Sequence, residues 1–186
     1  MTGVQTCALP IFINGGFDTD ASDWVIANTA SIGGYSSSYG NPTGSVYLFN
    51  PVFDTFSPSA SQLVSGLTPG TTYMISGDFI GGGKNIADNS FGVACDGIFL
   101  FETASPGGDG WHSFSVEYVA TSTSTLLNLS SQLNGTDGHY YIDNISMLAV
   151  PEPGSLWLAG LGGVGGATVL KRFGRSRVFD SESFSK

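Results

Sequence analysis

Positive charge is almost missing from this chain until residue 171. Of its six Lys and Arg residues only Lys84 comes earlier, and residues 12–149 set twelve Asp or Glu against that one lysine, a net charge of −11. Such a field repels phosphate backbones and leaves no basic groove to displace counterions, which excludes nucleic acid as a partner. Cysteine is scarce too. Cys7 and Cys95 are the only two, so no disulfide framework can be inferred. The two histidines, His112 and His139, lack the spacing of metal ligands. No Gly-x-Ser-x-Gly elbow occurs, and no evident long loop builds a deep cleft, so the chain does not read as an enzyme.

Helical signals are equally thin. Lys, Glu and Ala are few and no stretch before residue 150 keeps a 3.6-residue period. Ser, Thr, Gly and aromatic residues dominate instead, the composition of short strands joined by turns. Strands are expected at 12–17, 24–27, 45–49, 62–64, 71–79, 91–95, 98–101, 111–118, 125–129 and 140–148. Asp96-Gly97 joins two of them as a hairpin signal. Residues 12–149 therefore read as one domain, an all-β sandwich of jelly-roll type.

The carboxyl end is organised differently. Val150-Pro151-Glu152-Pro153 precedes seventeen residues, Gly154–Leu170, without a charge, and Lys171, Arg172 and Arg175 follow. As a helix that run spans roughly 26 Å, enough for a thin bilayer, and the basic cluster suits a cytoplasmic flank. Six glycines disfavour a soluble core helix but are tolerated within membranes. A Gly-x-Gly-x-x-Gly match at 160–165 lacks the strand and acidic partner that a dinucleotide site needs. The order of these elements resembles the PEP-CTERM sorting signal of exported bacterial proteins. The resemblance covers residues 150–175 and leaves 176–186 as a polar tail. It implies an exosortase as partner, a membrane segment at 154–170 that forms a single hydrophobic helix, and transient anchoring in the inner membrane. A final place at the cell surface or in an extracellular matrix or exopolysaccharide layer would follow.

At the other end, residues 1–11 are similar to a translated sequencing adapter, so no packed role is expected of them.

A second resemblance spans most of residues 12–148. It rests on Asn14-Gly15-Gly16-Phe17-Asp18 with Trp24, then Val64 to Tyr73, Gly110-Trp111-His112-Ser113-Phe114, and Tyr140-Tyr141-Ile142-Asp143-Asn144-Ile145. Their order is similar to that of carbohydrate-binding-module-like jelly rolls with the galactose-binding-like fold. That likeness implies an extracellular glycan as alternative partner and a structural calcium shared by Asp18 and Asp143, with Asp20 assisting, since a hard cation takes six to eight oxygens. Tyr35, Tyr39 and Tyr47, in or near a Gly/Ser-rich stretch, are candidate stacking platforms. Trp24 and Trp111 fall at positions expected to pack the core.

Overall fold

The computed structural model describes residues 12–29, 33–50, 57–82, 89–104, 110–132 and 138–151. Residues 1–11, the expected helix at 154–170, the basic cluster and Lys84 lie outside them. A first compact unit runs to Val150 and a second takes in Pro151–Lys186.

Ten strands make up the first unit: β1 Val25–Ala27, β2 Gly34–Ser36, β3 Ser45–Asn50, β4 Ser59–Ser65, β5 Thr72–Gly82, β6 Ser90–Cys95, β7 Ile98–Ala104, β8 His112–Val119, β9 Ser124–Gln132 and β10 Gly138–Ala149. They form two five-stranded antiparallel sheets. One has the order β1-β4-β9-β6-β7, the other β2-β3-β10-β5-β8. Alternation explains the layering: in β5 the residues Tyr73, Ile75, Gly77 and Phe79 turn inward while Met74, Ser76 and Asp78 are only half-buried. Between the sheets Phe79 and Phe91 stack at 4.7 Å. Phe91 also meets Phe114 at 5.6 Å and Tyr140 at 5.8 Å. Cys95 is buried in the same core, and burial pushes its thiol up to about 11, which leaves it protonated and unreactive at neutral pH.

The hairpin at Asp96-Gly97 forms as expected, with both residues at positive φ (49° and 80°). The expected strand at 12–17 does not. This segment is irregular, because Asn14 and Phe17 take left-handed φ of 54° and 47° and Gly15 is pressed against β10. The Ile145 N–H donates to the Gly15 carbonyl at 2.8 Å, and any Cβ on Gly15 would overlap the Ile145 carbonyl oxygen. The contact falls at a register shift of β10 against β5 between Asp143 and Ser146, where Asn144 has φ 54°. This bulge lets the amino-terminal segment dock on a strand that is otherwise paired on both sides.

Candidate functional site

The outward face of the β2-β3-β10-β5-β8 sheet carries a row of rings. Tyr47 on β3 and Tyr141 on β10 stand directly opposite in register, their centroids 4.6 Å apart and the planes 22° from parallel. Tyr39, from the loop between β2 and β3, lies 4.4 Å from Tyr141 and 6.0 Å from Trp111. His139 meets Tyr47 and Tyr141 at 5.8 and 5.6 Å. It fits because Gly82 opposite has no side chain; a Cβ there would overlap the imidazole. The row thus crosses the sheet from β3 to the start of β8. Tyr39 is 40% exposed, and Tyr47, Tyr141, Trp111 and His139 are half-buried. Burial raises the Tyr141 phenol, against a hydrogen bond with Tyr47, so its hydroxyl stays neutral and able to donate.

The loop that carries Tyr39 is held at its next residue but one. The Asn41 backbone N–H donates to Asp143 Oδ2 at 2.6 Å and its side-chain amide to Asp78 Oδ2 at 3.2 Å. Asn144 donates to the Asn41 carbonyl and, at 2.9 Å, to Asp78. Ser113 Oγ donates to Asp78 Oδ1 at 2.6 Å, and Ser45 Oγ to the Tyr39 carbonyl at 2.6 Å. Asp78 and Asp143 are paired in register across β5 and β10, so the two central strands together fix the loop.

Of the three tyrosines expected from sequence, the fold brings Tyr39 and Tyr47 together and leaves Tyr35 aside. Tyr35 pairs with Val46 on the inward face and packs against the core. Trp24 is buried as expected; Trp111 is not in the core but ends the row. Tyr141, which the sequence reading did not single out, completes the row with Trp111. The strict alternation around Tyr140, which is fully buried, was the signal that Tyr141 must face outward.

Asp143 is fully buried and both its oxygens accept backbone N–H groups, from Asn41 and, at 2.7 Å, from Asn144. Burial raises its pKa; those two hydrogen bonds oppose the rise, and the charges of Asp18 and Asp78 add to it. Asp143 thus lies within electrostatic reach of Asp18 and is paired in register with Asp78. Among the described residues no three His, Cys, Asp or Glu side chains form a metal-holding group, and both Asp143 oxygens are already taken by backbone N–H groups. Asp20 instead closes a turn: hydrogen bonds from Ser22, side chain before backbone, hold its carboxyl below the usual range, and it accepts from Asn14 at 3.0 Å.

Residues 149–172 match the model of the PEP-CTERM protein-sorting motif. No curated protein matches the sequence. Solved structures match the sandwich. TmCBM61, solved in complex with β-1,4-galactotriose, is 16% identical with a TM-score of 0.61, covering 77% of this chain and all of its own. The CBM22-1 xylan-binding domain from Paenibacillus barcinonensis Xyn10C is 15% identical with a TM-score of 0.54, covering 78% of this chain and 97% of its own. The enzymatically active domain of Bacteriophage CBA120 tailspike protein 4 is 13% identical with a TM-score of 0.57, covering 76% of this chain but 21% of its own. At these identities the likeness is one of fold.

Proposed function

We propose that this exported, PEP-CTERM-sorted protein is a non-catalytic glycan-binding module of the cell surface. Its sorting segment holds it at the inner membrane until an exosortase acts near Pro151-Glu152-Pro153, and the released domain then lodges in an extracellular matrix or exopolysaccharide layer. The observation that carries the binding reading is the aromatic row of Tyr47, Tyr141, Tyr39 and Trp111. Stacked, half-exposed rings offer apolar faces to the C–H side of sugar rings, while phenols and the His139 edge offer hydrogen bonds. In electrophoresis through gels containing soluble galactan or xylan, the Tyr47→Ala/Tyr141→Ala pair should lose about tenfold in affinity per ring. Unchanged retardation by every polysaccharide that slows the wild type would remove the row from the binding site.

The same reading gives Asp18 and Asp143 a structural calcium, with Asp78 beside them. The sign of a pH effect separates this from an empty carboxylate cluster. Because Asp143 has a raised pKa in the fold, its contribution without metal is present below the ordinary carboxylate range and lost as pH rises through the raised value. Calorimetry in chelator should show wild type losing stability relative to Asp143→Asn as pH rises above the ordinary carboxylate range. In calcium the trend should reverse, since the ion binds the charged form and stabilises the fold by mass action. Identical profiles with and without calcium would leave the aspartates as loop anchors.

A further inference from the structure

We propose that the opposite sheet carries a second saccharide-contact site, built around Phe99 and independent of the tyrosine row. On β6 and β7, Val93 pairs with Phe101 but Ala94 pairs with Phe99, leaving Leu100 as the extra residue of a bulge. Strict alternation would send Phe99 inward beside Phe101, which stacks on Phe114 at 5.7 Å. The bulge instead turns Phe99 to the outer face, where it is 58% exposed. The ring lies against Gly92; a Cβ there would come within 2.8 Å of a ring carbon. The ring thus lies against bare backbone on one side and is open to solvent over more than half of its surface.

Polar groups surround it. A cavity of about 90 Å³ is lined by Phe99, Gly92, Ser90, Glu102, Ser130 and Gln132, among others, and Ser90 Oγ donates to Glu102 Oε1 at 3.4 Å. That volume admits a hydroxymethyl group or several waters. A hexose laid over Phe99 would stack its C–H face on the ring and place hydroxyls against carboxylate, amide and serine groups. Among the described residues that line the cavity the one charge is the Glu102 carboxylate, which repels a uronate or sulfate, so the ligand class is an uncharged polysaccharide. With sites on the outward faces of two stacked sheets, one domain would bridge two glycan chains.

The full chain, in mild detergent, is tested on soluble galactan and xylan for gel retardation and for turbidity through cross-linking. Wild type should cross-link. Phe99→Ala and the exposed-surface variant Glu102→Gln should bind through the tyrosine row yet fail to cross-link. In the Tyr47→Ala/Tyr141→Ala background, Phe99→Ala should remove the remaining retardation, about tenfold or more. Near-UV circular dichroism checks each fold. If the Tyr pair abolishes all binding while Phe99→Ala and Glu102→Gln change nothing, this proposal falls and the row stands. If binding survives the Tyr pair and vanishes with Phe99, the row falls and this site stands. A wild type that never cross-links, or binds neither polysaccharide, also overturns it.

Discussion

Phe91→Ala is expected to destabilise the sandwich by about 3–5 kcal/mol, a large part of the 5–15 kcal/mol that a domain of this size has in total. Phe91 is fully buried and its ring touches Phe79, Phe101, Phe114 and Tyr140, which come from four strands. The rings around it belong to both sheets and cannot all collapse into the space that alanine leaves, so the cavity term stays close to its full value. A thermal melt followed by circular dichroism should fall by roughly 10 °C, at 2–4 °C per kcal/mol for domains near this length. A shift under a few degrees would mean that the two sheets can close over the void, against the packing described.

Ending the chain after Pro151 is expected to move it completely from the membrane fraction to the soluble fraction. The Val150 N–H donates to the Thr72 carbonyl at 2.8 Å, so a cut beyond Pro151 keeps β10 and its last bond to β5. Any change then comes from the removed segment, seventeen uncharged residues followed by Lys171, Arg172 and Arg175. A span of that length is held far more firmly than a surface helix or single acyl chain. Equal partitioning of the full and shortened chains after ultracentrifugation would sink the anchoring role of 154–170. Reversing the three basic residues to glutamate should instead impair orientation, because the flank's positive charge sets it.

The long strands were legible because alternation is sustained: β5, β8 and β9 show period two over seven or more residues. Short elements were not. β2 is three residues long, Gly34-Tyr35-Ser36, too few to show a period, and so the inward turn of Tyr35 went unseen. Trp111 was expected in the core because a tryptophan at a strand start usually packs there. Its place in the row depends on Tyr39, which depends on Asn41 reaching Asp143 across 102 positions of sequence. No local pattern encodes that reach. Motif order singled out Asp18 and Asp143, while Asp78, which pairs with Asp143 in register, was hidden in an ordinary alternating strand. Phe99 escaped for a related reason: a bulge changes which face a residue takes, and an unbroken apolar run, Ile98 to Phe101, gives no sign of where the extra residue falls.

Among the described residues β10 is the final strand, yet it lies between β3 and β5 in its sheet. Until it is in place, the nine strands before it leave the middle of one sheet vacant. Asn41 then has neither Asp143 nor Asn144 to hold it, and Tyr47 has no Tyr141 beneath it. The keystone crosses last, and the sorting motif begins at residue 149, where that strand ends. The end of the sandwich and the start of the sorting motif thus coincide in the sequence. A chain stopped before Gly138 would lack both the central strand of that sheet and the sorting motif.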